Sequence, residues 1–233
     1  VHLLARPRND PRQYDDLADQ WWGGERSAFA ALHWLAVARA RLIPPAPPGG
    51  GLLLDLACGG GLLAPHVTGY RHLGVDLTAS ATRIARDHGV VVVQGDVLNV
   101  PVRDGCADVV VAGEIFEHVP DLPRAVAEAV RVLRPGGTVV IDTLANTRVC
   151  KLLMVTLAER FAVVPTGIHD SDLFVSPSRL RELFAEHGVD ITLQGLRPRV
   201  VDGLAWVLRV RSDVRLTPTR STSIVFQGVG VKR

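Results

Sequence analysis

Asp55-Leu56-Ala57-Cys58-Gly59-Gly60-Gly61 closes an apolar run that begins at Leu52, and its reading decides the fold. A short continuous apolar run that ends in glycines is the pattern of a parallel strand buried on both faces. Glycines at such a strand end let backbone N–H groups approach a ligand with no Cβ in the way. A dinucleotide fingerprint, G-x-G-x-x-G, needs glycine at 57, 59 and 62, and Ala57 and Leu62 fail two of those three positions, which disfavours a pyrophosphate cradle. Neither G-x-x-x-x-G-K-[ST] nor G-x-S-x-G occurs, which argues against nucleotide triphosphatase and hydrolase chemistry.

Downstream of this loop, strand and helix patterns alternate. Helical spacing is read over 62–69, 79–88 and 121–133, and strands over 72–76, 90–93, 107–112 and 138–144, with a turn at Arg134-Pro135-Gly136-Gly137. The order predicts a doubly wound, mostly parallel α/β sheet whose ligands sit at the carboxyl ends of the strands. After residue 144 the pattern changes. Residues 148–164 are apolar with interspersed Arg148, Lys151 and Arg160, residues 176–187 read as a helix, and two last strands are expected near 190–196 and 221–231. The expectation is therefore a seven-stranded sheet with an insertion after the fifth strand, at about 145–175.

Upstream, residues 1–10 read as a frayed arm, and 11–22 and 28–43 carry helical spacing on either side of Gly23-Gly24. The Pro44-Pro45-Ala46-Pro47-Pro48 run and the glycines after it cannot propagate a helix. They divide an N-terminal helical arm (1–48) from a core (49–233) within a single domain. The 26 basic residues are scattered against 24 acidic ones, so no nucleic-acid-binding stripe is expected. Three widely spaced cysteines without C-x-x-C, no apolar leader and no run of about 20 apolar residues predict a cytoplasmic protein.

Three acids follow successive strands: Asp55, Asp76 and Asp96. A carboxylate at the end of the second strand can accept both hydroxyls of a ribose, and one after the third can accept from an adenine amino group. Each alone is the kind of acid that loops and helix caps carry. With the glycine loop they resemble the class I S-adenosylmethionine-dependent methyltransferases. The resemblance implies that Asp55, Ala57, Gly59 and Gly61 hold the methionine end of the cofactor, Asp76 its ribose, and Asp96 and Val97 its adenine. It adds Trp22, Arg39 and Gly113 to the cofactor site. Ala57 departs from the family's first glycine by one methyl group.

The resemblance narrows with five elements in order: residues 14–22 (YDDLADQWW), Leu32-His33 with Arg39, Cys58-Gly59-Gly60-Gly61, residues 114–121 (EIFEHVPD) and residues 165–170 (PTGIHD). These resemble the ubiquinone-biosynthesis O-methyltransferases, which methylate catechol-type polyprenyl precursors, over roughly residues 11–185. The tail from Leu196 departs from that family.

Glu114, Glu117 and His118 share one face if their segment is helical, and two carboxylates with an imidazole suit a divalent ion such as Mg²⁺, Mn²⁺ or Zn²⁺. The resembled family is metal-dependent, which implies a metal-chelated catechol. The same Glu-His-Val-Pro element is widespread where no metal binds; His118 or His169 is then the general base. Asp170 either fixes the His169 tautomer or caps a loop turn. A substrate pocket walled by Trp21, Phe116, Met154 and Phe161, with Asp170 nearby, would take a flat aromatic acceptor, either a quinone precursor or a secondary-metabolite phenol. Residues 148–164 fit a lid over a greasy substrate first, a peripheral membrane contact second, or an ordinary core helix. C- or N-methylation, or a non-catalytic module that keeps the fold, are the alternatives.

Overall fold

A computed structural model describes residues 6–24, 27–160, 164–208 and 213–233. Its centre is strand β1 (Gly51–Leu56), whose last four residues are buried, as the continuous apolar run requires. Strand β1 pairs in parallel with β2 (Tyr70–Asp76) on one side and with β4 (Ala107–Gly113) on the other. Strand β3 (Val91–Gln94) adds in parallel to β2, and β5 (Leu133–Leu144) to β4. The order in which strands are added thus reverses between β1 and β4, and a crevice opens outside the carboxyl ends of these parallel strands. Antiparallel strands complete the far half: β8 (Val225–Lys232) lies between β5 and β6 (Val189–Pro198), and β7 (Leu216–Thr219) pairs with β6.

The described sheet has eight strands in the order β3-β2-β1-β4-β5-β8-β6-β7, one more than expected. The extra strand, β7, carries Pro218, which reads as a strand breaker but is tolerated at the edge position that β7 occupies.

Helix α1 (Arg12–Asp16) and a 3₁₀ turn at Ala18–Gln20 replace the single helix expected over 11–22. Helix α2 (Ala30–Ala40) lies within the expected 28–43. The helix expected over 62–69 is only a 3₁₀ turn, Ala64–His66. Gly61 at φ +78° and Pro65 leave too little chain free for a longer one. Helices α3 (Ala79–Asp87) and α4 (Leu122–Val132) cover the sheet where the spacing places them, α4 capped by Asp121, which accepts from Arg124 N. The turn expected at 134–137 is an irregularity inside β5: Ala107 faces Leu133, and Val109 then faces Thr138.

The insertion starts as α5 (Arg148–Lys151), with Thr147 accepting from Cys150 N, and continues as a π-helix, Leu152–Ala158. Helix α6 (Pro177–Glu186) is capped by Ser176. Helix α7 (Val200–Val207), which the sequence reading did not include, follows β6. Among the described residues no helix is long and apolar enough to cross a membrane.

Candidate active site

The crevice at the switch between β1 and β4 is a cavity of about 640 Å³ whose floor is the strand ends. Asp55, Ala57, Cys58 and Gly59 enter it from β1 and its loop, Asp76 and Leu77 from β2, Asp96 and Val97 from beyond β3, and Gly113 and Glu114 from β4. Ala57 and Glu114 hold left-handed backbones, φ +56° and +51°. With Asn9 at φ +60°, all three non-glycine residues that hold this conformation among the described residues line one cavity, and they mark a surface whose conformation the surrounding fold over-determines.

Asp76 organises the glycine loop. Its Oδ2 accepts from Gly59 N at 2.8 Å, and its Oδ1 accepts from Thr78 N at 2.9 Å and Thr78 Oγ1 at 2.8 Å. Three of about four acceptor sites on the carboxylate are therefore engaged, leaving room for one further donor where the sequence reading gave it two. Burial pushes the Asp76 carboxyl above its ordinary range, against the pull of those donors. Asp55 lies 3.1 Å from His72 Nε2 on β2, and Asp96 Oδ1 accepts from Leu98 N at 2.8 Å. Gly59 is fixed by contact: a Cβ there would stand 2.4 Å from the Trp21 ring.

Opposite the strand ends the cavity is roofed by chain from three places. Asn9, Tyr14 and Trp21 come from the N-terminal arm, Leu153, Met154 and Ala158 from the insertion, and Pro165, Ile168 and His169 from the loop after it. Most of this surface is apolar. The polar exceptions centre on His118 and His169, whose rings stack with centroids 5.4 Å apart. Burial pushes His118 down to about 3, with His169 adding to the effect, and pushes His169 down to about 4. Both are neutral imidazoles at ordinary pH.

A family model described as a methyltransferase domain matches residues 54–141, the stretch from β1 into β5. The ubiquinone biosynthesis O-methyltransferase of Thiobacillus denitrificans is 34% identical over 215 residues, covering 86% of this chain and 90% of that protein. The chain belongs to the ubiquinone-biosynthesis O-methyltransferase family. The enzyme of the same name from Bordetella pertussis is 31% identical over 222 residues, covering 90% of this chain and 91% of its own. A solved SAM-dependent methyltransferase from Thermotoga maritima shares the fold, with a TM-score of 0.68 at 20% identity over 95% of this chain and 98% of that one. This methyltransferase accordingly uses S-adenosylmethionine.

Of the cofactor residues that the resemblance implies, Arg39, Asp55, Ala57, Gly59, Asp76, Asp96, Val97 and Gly113 line the cavity. Two do not. Gly61 faces away, where a Cβ would meet Ala85 Cα of α3 at 3.1 Å. Trp22 points outward, donating from Nε1 to Gly60 O at 2.9 Å and stacking on His88 at 4.0 Å. It braces the back of the loop while its neighbour Trp21 faces the ligand side.

Among the substrate-pocket candidates, Trp21 and Met154 line the cavity. Phe116 packs in the core against Phe184, and Asp170 caps a 3₁₀ turn by accepting from Asp172 N. Phe161 lies outside the described residues. Asn9 and Tyr14 are cavity residues that the sequence reading left in the arm.

Glu114, Glu117 and His118 do not form the expected metal set. Glu114 turns the chain left-handed, and the segment after it is a single turn closed by His118 N on Ile115 O, so the helical face that would unite the three is absent. Glu117 is fully buried and accepts from Thr143 Oγ1 at 2.8 Å. Nδ1 of His118 is already engaged by Asn9 Oδ1 at 2.6 Å. No three His, Cys, Asp or Glu among the described residues gather in a way that could hold an ion. Burial raises the carboxyls of Glu114 and Glu117, the latter to about 7, and this favours their neutral forms.

Proposed function

We propose that this methyltransferase moves the methyl group of S-adenosylmethionine to a hydroxyl oxygen of a flat, largely apolar phenol or catechol, with His118 Nε2 as general base. The observation that carries the reading is the pair of neutral, stacked imidazoles set in the mostly apolar roof of a cavity whose floor holds the strand-end acids. The names of the relatives, all O-methyltransferases of ubiquinone biosynthesis, support oxygen as the acceptor atom and a quinone precursor or similar phenol as its class.

In this reading Asp76 takes a ribose hydroxyl at its open acceptor site, Asp96 with Val97 flanks the adenine, and Asp55, Ala57 and Gly59 face the methionine end. When bound, the cofactor supplies an electrophilic methyl group on a sulfonium. The acceptor oxygen bonds to that carbon as the carbon–sulfur bond breaks and sulfur keeps the electron pair. The hydroxyl proton passes to His118 Nε2 and then to solvent. A base whose pKa is lowered this far is weak in the empty site, but the reaction conserves charge inside the cavity: the sulfonium's positive charge disappears as the imidazolium's forms. The low-dielectric surroundings that disfavour His118⁺ alone therefore do not oppose the transfer.

The cofactor part is tested by Asp76→Ala. Each lost charge-assisted hydrogen bond is worth about 1.5–3 kcal/mol, so calorimetry should show S-adenosylmethionine binding weakened at least about tenfold. Equal binding by variant and wild type would remove Asp76 from the site. The acceptor part is tested with labelled cofactor and a panel of catechols, naphthols, amines and carboxylic acids. Label is expected on the phenolic oxygens, and transfer confined to an amine or a carbon acceptor would overturn the oxygen assignment.

A further inference from the structure

We propose that Asn9, in the N-terminal arm, is a positioning residue that fixes the tautomer and orientation of the His118 ring. The inference rests on His118 acting as the base and goes beyond that reading to a residue 109 positions away in the chain.

Two hydrogen bonds tie Asn9 to His118. Asn9 Nδ2 donates to the His118 carbonyl oxygen at 2.8 Å, and Asn9 Oδ1 lies 2.6 Å from His118 Nδ1. The first contact settles the second. A carbonyl oxygen only accepts, so the amide must present its NH₂ there and its oxygen to the ring. That oxygen only accepts as well, and His118 Nδ1 must carry the proton. A neutral imidazole protonated at Nδ1 has its lone pair on Nε2, the nitrogen on the side of Tyr14, whose hydroxyl is 3.4 Å away at the cavity wall. The base is thus delivered in the form that can accept a proton.

The placement of Asn9 is itself secured. It sits at φ +60°, a left-handed conformation that asparagine tolerates better than most side chains. Its N–H donates to Gly167 O at 2.9 Å. Arg8 beside it donates to both carboxylate oxygens of Glu159, at 2.8 and 3.0 Å, and to His169 O at 2.8 Å. The arm is clamped at once to the insertion and to the His169 loop, so the strained residue between those anchors holds one geometry. The region read from sequence as frayed supplies, at Asn9, part of the wall around the base.

The experiment compares Asn9→Ala, Asn9→Asp and His118→Ala by steady-state kinetics, with nitrogen-15 NMR of the His118 ring in the wild type and in Asn9→Ala. The wild type should show Nδ1 protonated and Nε2 bare near neutral pH, and Asn9→Ala a mixture of tautomers. Loss of the fixed tautomer and ring orientation should lower kcat about tenfold, less than the roughly 10²–10⁴ that a general base contributes as a whole because part of the ring population stays competent, with cofactor affinity unchanged. Asn9→Asp keeps an acceptor for Nδ1–H and should recover part of kcat, which a simple packing role would not allow. A wild-type ring protonated at Nε2 overturns the proposal even if Asn9→Ala fails to fold. So does Asn9→Ala with wild-type kcat where His118→Ala is inactive. If His118→Ala is itself active, the base assignment fails instead, and the NMR result still reads the Asn9 contact separately.

Discussion

His118→Ala is expected to lower kcat by about 10²–10⁴ while leaving S-adenosylmethionine binding intact, because the imidazole meets the acceptor's proton and not the cofactor. The shape of the pH profile distinguishes this base from an ordinary one. Burial lowers the folded-state pKa of His118 to about 3, so the ring stays in its proton-accepting form as pH falls through 6.5. The wild type should therefore show no acidic limb in kcat/KM near pH 6.5, where a solvent-exposed histidine base would lose activity. The same depression has a stability consequence of fixed sign. Between about pH 3 and 6.5 the unfolded chain binds a proton at this histidine that the folded chain does not, so acidification through that window destabilises the fold. Retention of about a tenth or more of kcat in His118→Ala would be less loss than a general base should cause, and would move the proton-accepting role elsewhere.

What the sequence disclosed about this site follows a physical division. The glycine loop and the acids at 55, 76 and 96 were legible because each sits at the end of its own strand, and strand periodicity is a local signal. The metal set failed for an equally local reason that the letters conceal. Glu-x-x-Glu-His shares a face only on a helix, and the left-handed backbone at Glu114 breaks that helix before it starts. Adjacent residues were the other difficulty. Trp21 and Trp22 face opposite ways, one toward the cavity and one onto His88, and neither composition nor spacing decides which is which. Asn9 was out of reach altogether, since its partner is 109 residues away and a single polar residue in a ten-residue arm carries no periodic signal. The eighth strand was hidden behind Pro218, a residue whose meaning depends on whether the strand is central or at an edge.

Gly113→Ala is expected to destabilise the protein by about 3–5 kcal/mol, the range for breaking a buried ion pair on one side. Arg39 reaches from α2 across the end of β4, donating to Asp142 from Nε at 2.6 Å and from Nη2 at 2.7 Å. Its guanidinium lies so close over Gly113 that a Cβ there would stand 1.9 Å from Arg39 Cζ. The guanidinium is the end of a flexible side chain and can move, but moving it abandons Asp142, which has no exposure to water, beside the half-buried Glu114. Burial works against the charge on Arg39, and the attraction of Asp142 outweighs it, so the pair exists only as a pair. At about 2–4 °C per kcal/mol for a chain of this size, the loss should appear as a fall of about 10 °C in Tm and a lower urea midpoint at unchanged m-value. The ion pair is distinguished from simple crowding by two further variants. Arg39→Leu alone leaves Asp142 unpaired and should cost a similar amount, whereas Arg39→Leu with Asp142→Leu removes both charges and should recover much of the stability. A Gly113→Ala protein with the wild-type midpoint would show that the guanidinium can leave Asp142 without penalty, and the role of this glycine as the seat of the ion pair would be withdrawn.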